Sequence, residues 1–220
     1  MWTWFTSILQ EMGATLRLPV SFVLIEFAGT FAFALSGTRL ASAKKFDIFG
    51  AWIVGMATAI GGGTMRDLML GEVPFWMTHS SYFTCCALAV VWVMLFGRQL
   101  IRQNNTWFIF DTIGLALFNV IGIEKTLTLG FPYWTAVTMG CITGAAGGII
   151  RDVLINEVPL IFRKEIYALA CALGGLVYIV CDKYGCSVEL SALFSSIVVI
   201  VVRCLAVKYH WHLPILKGEE

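Results

Sequence analysis

Long stretches without any charged residue are the feature that most restricts how this chain can fold. Five such stretches contain no Asp, Glu, Lys or Arg, and they cover residues 48–65, 80–97, 126–150, 166–181 and 190–202. A helix needs about 20 mostly apolar residues to cross the hydrocarbon core of a bilayer. Charged residues make up only 13% of the 220-residue chain, whereas soluble domains contain about 25%. The sequence therefore predicts an all-α integral membrane protein.

Seven predicted helices account for the apolar stretches. They span residues 20–40, 47–70, 79–97, 106–124, 132–155, 164–182 and 188–207. Pro132 stands at the start of the fifth helix, where proline is tolerated, while Pro74 and Pro159 follow the second and fifth helices. We expect residues 1–19 to form an N-terminal segment at the membrane interface, and residues 208–220 to form a tail.

The sequence repeats itself with a constant shift of 85 residues and no gap. The shift aligns charged residues, glycines and prolines in one register, which chance similarity between apolar segments does not explain. It defines two units of three helices, 20–100 and 106–184, with the helix at 188–207 outside the repeat. Because three is odd, the second unit enters the membrane from the opposite side. This inverted-topology repeat is typical of transport proteins.

The distribution of Lys and Arg predicts the orientation. The side that holds the loops after the first, third and fifth helices and the C-terminus carries eleven of them, against four on the other side. Cytoplasmic loops are enriched in Lys and Arg. We therefore expect a multi-pass protein of a bacterial-type inner membrane, with the N-terminus outside and the C-terminus in the cytoplasm.

Glycine clusters lie deep inside the second and fifth predicted helices. Gly61, Gly62 and Gly63 precede Thr64 in the first unit, and Gly147-Gly148 occupies the matching place in the second. Each glycine in a helix interior costs about 1 kcal/mol relative to alanine, so a cluster favours unwinding. Carbonyl groups freed at a break can line a wet cavity and replace the water around a cation. The alternative is close helix packing, but the repetition of the cluster favours a permeation path.

An Arg-Asp pair follows each glycine cluster. The charged candidates are Arg66, Asp67, Arg151, Asp152, Glu26 and Asp111. A charge inside a membrane span is costly and faces a partner or a cavity. Residues adjacent in sequence do not share a helix face, so we expect Glu26 to pair with Arg66, and Asp111 to pair with Arg151. These residues are either structural ion pairs or arginines that repel or gate cations.

Further polar side chains lie within the predicted apolar helices. They are Thr58, Thr143, Ser36, Asn119, Thr64 and Thr138. Serine and threonine hydroxyls often bond to their own helix backbone, so each alone favours a structural role. Thr58 and Thr143 occupy equivalent positions one turn before the glycines, which favours a place along the pathway.

Several classes of function lack support in the sequence. The three histidines and seven cysteines form no metal-ligand spacing or catalytic set. We therefore expect no enzyme activity, no cofactor and no metal site beyond a transient monovalent cation. No basic cluster of the kind that binds nucleic acid is present. Most cysteines lie in apolar segments; Cys181 and Cys186 lie near a loop, where pairing is an alternative to a free state.

The glycine and Arg-Asp motifs resemble those of a known family. The motif residues are 61–67 with Val73-Pro74, repeated as 147–152 with Val158-Pro159. This double pattern, over about residues 20–205, is similar to the bacterial relatives of the trimeric intracellular cation (TRIC) channels. One departure is Ala146 in place of a third glycine, which predicts a milder break in the fifth helix.

The resemblance implies a homotrimer in membrane lipid with a separate pore in each protomer. It implies that the second and fifth helices are kinked at the glycine motifs beside the pore. It also implies conduction of potassium with weak discrimination against sodium. The pore-kink residues would then be Gly61, Gly62, Gly63, Arg66, Gly147, Gly148 and Arg151.

The same bacterial group is also labelled a glycine transporter, which leaves a second reading open. Inverted repeats and broken helices occur in channels and transporters alike, so the fold does not separate them. A transporter of a small amino acid needs a site for the carboxylate, such as a helix N-terminus at a break before Thr64. A purely structural protein is a third reading, which explains the repeat poorly.

Overall fold

A computed structural model of the protein describes residues 12–15, 19–102, 106–162 and 166–211. Within these ranges all regular secondary structure is helical, which confirms the predicted class. Most of the predicted N-terminal segment and of the C-terminal tail lies outside the described residues.

Seven long helices, α1 to α7, follow one another along the described chain. They are α1 (Val20–Ala43), α2 (Ile48–Leu70), α3 (Ser81–Arg102), α4 (Thr106–Thr128), α5 (Tyr133–Leu154), α6 (Ala168–Lys183) and α7 (Val188–Lys208). A short helix, Phe75–Thr78, precedes α3, and a 3-10 turn, Leu160–Phe162, precedes α6. The clearest differences from prediction are at helix ends: α3, α4 and α1 run further than predicted, α3 the furthest, and α6 begins later.

Five of these helices, α1, α2, α4, α5 and α7, are long and apolar enough to cross a membrane. The apolar part of α3 within the described side chains, Ser81–Gly97, is shorter, and α6 has 16 residues. Large apolar side chains such as Leu95 and Trp134, each 72% exposed, face outwards. Such a surface suits a lipid environment and not water.

Six of the long helices end with the same turn. Each is closed by a residue with positive φ: Lys45, Gly71, Gly130, Asn156, Gly185 and His210. In each case the next residue donates its N–H to a carbonyl five residues earlier, as in a Schellman motif. Glycine and asparagine adopt this conformation at little cost.

The centre of the fold is built by α1 against α4. Phe33 stacks on Phe118 with ring centroids 5.3 Å apart. Gly29 leaves room for Phe118, and Gly114 leaves room for Phe33. Residues 29 and 33 therefore face 118 and 114 in reverse order, so the two helices run antiparallel. The contacts are also reciprocal, because each residue and its counterpart 85 positions later exchange roles.

Candidate functional site

The crossing of α2 over α5 brings the two glycine clusters together. A Cβ on Gly62 would collide with the carbonyl oxygen of Thr143, and a Cβ on Gly147 would collide with that of Thr58. The two backbones are therefore in direct contact at two points, one helical turn apart on each helix. Only glycine permits so close an approach at these positions.

The predicted unwinding at the glycines does not occur. Both α2 and α5 are α-helical throughout, including residues 61–63 and 147–148. The local helix propensity of glycine is low, but burial against the partner helix offsets it, as in membrane helices that pack through small residues. The alternative interpretation, close packing, describes the contact at this crossing.

Thr58 and Thr143 use their hydroxyl groups in the same way. Each donates to a carbonyl one turn earlier in its own helix, at 2.6 Å. The same hydroxyls fill the space left by glycines on the neighbouring helix, Gly37 on α1 and Gly122 on α4. The glycines on α1 and α4 thus pack within one chain.

The first charged cluster joins four helices and contains two carboxylates and two cations. Arg66 Nε donates to Asp67 Oδ1 at 2.7 Å, and Lys125 Nζ donates to the same oxygen at 2.8 Å. Arg66 Nη2 lies 3.7 Å from Glu26 Oε1, and Tyr82 donates its hydroxyl to Glu26 Oε2 at 2.9 Å. All five side chains are buried. The formal charges sum to zero, which limits the cost of burying them.

The second cluster has the same plan at the other end of the crossing. Arg151 donates to Asp111 through a short bond, to Asp152 Oδ1 at 2.9 Å and to Ser36 Oγ at 2.9 Å. The second cation is Arg203 of α7, whose Nη2 lies 3.5 Å from Asp111 Oδ2. These charges also sum to zero.

The predicted pairing of Arg151 with Asp111 is present, whereas that of Arg66 with Glu26 is an ion pair without a hydrogen bond. The expectation that neither arginine bonds its neighbour in sequence is wrong. Each guanidinium bonds the aspartate that follows it, because a long arginine side chain reaches around the helix to the same interhelical space.

Each aspartate also holds the chain that follows its helix. Asp67 accepts the N–H of Phe75 at 2.9 Å, and Asp152 accepts the N–H of Leu160 at 3.0 Å. These bonds fix the start of the short helix in the first unit and of the 3-10 turn in the second. Asp67 and Asp152 are therefore structural as well as charged.

Sequence reasoning missed three kinds of residue in these clusters. Lys125 was expected in a loop, because it directly follows the predicted fourth helix. Its side chain is instead 3% exposed and bonds Asp67. Arg203 comes from the helix outside the repeat, so no internal comparison indicates it. Tyr82 and Tyr167 were detectable, because they match each other at the 85-residue shift. Tyr167 bonds Asp111 at 3.4 Å.

The remaining candidates are spread over several contacts. Asn119 donates to the carbonyl of Cys171 at 3.2 Å, which joins α4 to α6. Thr64 donates to Ile60 within its own helix and accepts the indole N–H of Trp76. Thr138 is exposed and also bonds its own helix. These residues do not meet in one lining surface in this conformation.

A cavity of about 390 Å³ reaches the second cluster from the surface. Its lining residues include Asp152, 4% exposed, together with Leu40 and Trp107. At its mouth Lys44 Nζ bonds Glu157 Oε1 at 2.6 Å. The counterpart of Leu40 at the 85-residue shift is Lys125, which bonds Asp67 directly in the first cluster. The two ends of the crossing therefore differ in access to the aspartate.

Buried, paired charges between long apolar helices are typical of a multi-pass membrane protein. A family model described as Glycine transporter matches residues 23–98 and again residues 108–183. The two matches are themselves 85 residues apart, which is the shift of the internal repeat. The chain belongs to this family.

Relatives and solved structures agree with the assignment. A UPF0126 membrane protein of Vibrio cholerae is 40% identical over 195 residues, covering 87% of this chain and 81% of the relative. The UPF0126 inner membrane protein YadS of Escherichia coli is 36% identical over 200 residues, covering 89% and 96%. A TRIC trimeric intracellular cation channel orthologue from Rhodobacter sphaeroides superposes with a TM-score of 0.83 at 33% identity, covering 87% of this chain and 100% of that one. The resemblance predicted from the motifs is confirmed.

Proposed function

We propose that the protein is a potassium-permeable monovalent cation channel that also admits sodium, and that it acts as a homotrimer in the lipid of a bacterial inner membrane. The observation that carries this proposal is the structural likeness, at 33% identity, to a protein described as a trimeric intracellular cation channel orthologue. The similar solved structures at 30–33% identity are all described as channels. Ion channels are transport proteins and not enzymes.

The proposed topology has seven spans. Two inverted units, residues 20–100 and 106–184, precede a seventh span at 188–207, with the N-terminus outside and the C-terminus inside. The antiparallel, reciprocal contacts of α1 with α4 and of α2 with α5 support the inversion. Two like units related in this way cross a bilayer in opposite directions.

The proposed route runs beside α2 and α5, one route in each chain. A cation entering the cavity of about 390 Å³ approaches Asp152, whose carboxylate already has partners and would therefore hold the ion weakly. Weak binding is what conduction requires. The route is closed at its middle here, because the backbones of α2 and α5 touch at Gly62 and Gly147. The side chain of Ile150 on α5 packs against Gly61 of α2 beside this contact, so opening the route requires both the backbones and this side chain to move.

Glycine transport is the second candidate, because the family model carries that description. A zwitterion needs separate groups for its carboxylate and its ammonium. The helix break expected before Thr64, which would supply N–H groups to the carboxylate, does not form in α2. The continuity of α2 also removes the freed carbonyls expected to coordinate a cation, so it does not separate the two candidates. We favour the channel because the solved structures that resemble this chain at 30–33% identity are described as TRIC channels.

Purified protein in liposomes distinguishes the two candidates. A channel gives passive potassium flux without saturation and discrete current steps in a planar bilayer. Saturable exchange of labelled glycine without current steps would replace the channel proposal by a transporter. Protein-free liposomes and liposomes with heat-denatured protein measure the background leak. Mass measurement of the purified complex in detergent tests the trimer.

A further inference from the structure

The turn after α6 brings two cysteines together. The helix ends at Lys183, and Gly185 reverses the chain with φ of 77°. Gly185 donates its N–H to the carbonyl of Asp182 at 3.0 Å, and Cys186 donates its N–H to that of Cys181 at 3.0 Å. In a Schellman motif the two residues joined by the outer bond also pack their side chains against each other. Here both of those residues are cysteine.

The geometry of this pair suits a covalent bond. The two thiols are free and partly exposed, and they belong to the same turn. Disulfides join residues whose Cα atoms are about 4.4–6.8 Å apart, and a direct backbone hydrogen bond keeps Cys181 and Cys186 close to such a separation. The same turn elsewhere in the described chain places other residues there, for example Ala41 with Phe46 and Thr126 with Phe131.

The proposed topology places this turn outside the membrane, where thiols meet an oxidising environment. Structural disulfides form in such compartments and are rare in the cytosol. We propose that Cys181 and Cys186 form an intrachain disulfide on the outer face of the protein. This inference rests on the orientation proposed above and does not depend on ion conduction.

The chemistry is an exchange with an external disulfide donor. The thiolate of one cysteine attacks a sulfur of the donor, which forms a mixed disulfide and releases one donor thiol. The second cysteine then attacks the chain's own sulfur in that mixed disulfide, closing the Cys181–Cys186 bond and releasing the second donor thiol. The chain loses two electrons and two protons, and the donor gains them.

The bond would fix the end of α6 to the turn beyond it. Asp182, between the two cysteines, accepts the hydroxyl of Tyr133 from α5 at 2.9 Å. The ammonium of Lys183 lies 5.3 Å from the centroid of the same tyrosine ring. Both contacts border a cavity of about 440 Å³ that also contains Glu124. The disulfide would therefore hold the α5–α6 contact beside this outer cavity.

Mass spectrometry of the purified full chain tests the pair. Glutathione disulfide is the oxidant, and an alkylating reagent then labels the remaining thiols. We expect a loss of about 2 Da and protection of both cysteines, with the other five cysteines unchanged. C181S and C186S should each abolish that loss and gain one glutathione instead. Two separate glutathione adducts on the wild-type chain, or two unmodified thiols, would overturn the proposal.

Acid-quenched cells test the side of the membrane. We expect the pair to be oxidised in cells, and Cys186 of the C181S variant to react with a maleimide that cannot cross the membrane. A reduced pair in cells overturns the proposal whether or not the maleimide reaches the turn. If the maleimide does not react with the thiol, the proposed orientation, with this turn outside the membrane, is also wrong. Potassium flux in liposomes is measured with reductant present, so the channel proposal stands or fails separately.

Discussion

The two charged clusters have a common plan but different fourth members. In the first, Lys125 from α4 bonds Asp67, so the aspartate has a cation on each side. In the second, the equivalent position is Leu40, and the extra cation, Arg203, faces Asp111 instead. The first aspartate is thus covered by charge and the second is reached by a cavity. The comparison teaches that two ends built on one plan can differ in access to the aspartate when the residues around it differ.

Loss of the central arginine should lower the free energy of unfolding more than any other change, and it should do so more in the second cluster than in the first. Arg151→Gln leaves Asp111 and Asp152 buried with fewer donors, and breaking a buried pair in this way costs about 3–5 kcal/mol. Arg66→Gln should cost less, because Lys125 still bonds Asp67. Chemical unfolding in detergent micelles measures both. Equal losses would show that Lys125 adds nothing to the first cluster.

Substitution of the tyrosines tests their hydrogen bonds to Glu26 of α1 and Asp111 of α4. Tyr82→Phe removes a 2.9 Å hydrogen bond to Glu26, and bonds to charged groups contribute about 1.5–3 kcal/mol. Tyr167→Phe should cost less, because its bond to Asp111 is 3.4 Å long and Arg203 remains over the ring. Unfolding free energies of the two variants give the comparison. A larger loss for Tyr167→Phe would reverse the ranking.

Alanine substitutions at the crossing of α2 over α5 should lower stability equally in both units. Gly62→Ala and Gly147→Ala each place a methyl group against a backbone carbonyl that cannot move aside, and overpacking of this kind costs about 1–3 kcal/mol. Thermal unfolding of the purified variants measures the loss. Gly97→Ala is the control, because its nearest neighbour is 3.9 Å away. It should be neutral or slightly stabilising. A large difference between Gly62→Ala and Gly147→Ala would contradict the reciprocal contact.

Exchange of the residue beside each aspartate tests the proposed route. Leu40→Lys places a cation beside Asp152 and should lower potassium flux about tenfold, because like charges a few ångströms apart repel strongly at a partly buried site. Lys125→Met removes the corresponding charge and should raise the flux by a similar factor. Leu40→Met, which adds no charge, is the matched control. Unchanged flux in both charged variants would remove these aspartates from the route.

The helices, the repeat and the participation of the Arg-Asp pairs were predictable from sequence, because apolar length, charge and register are local properties. Three aspects were not. The continuity of α2 through Gly61, Gly62 and Gly63 depends on contact with α5, and a tertiary contact of this kind overrides local propensity. The reach of Arg66 to Asp67 depends on side-chain length, which a face-of-helix rule ignores. The place of Arg203 depends on how α7 packs against the repeat.

The reciprocal carbonyl contacts also bear on how the duplicated halves have diverged. Thr58 contacts Gly147, the counterpart of Gly62, and Gly62 contacts Thr143, the counterpart of Thr58, so a change in either half alters the surface that the other half must fit. The four positions remain identical between the halves, whereas Leu40 and Lys125, which have no such mutual contact, differ. The reciprocal contact therefore ties each half to the other at four positions, whereas neighbouring positions outside it, such as Gly61 and Ala146, differ between the halves.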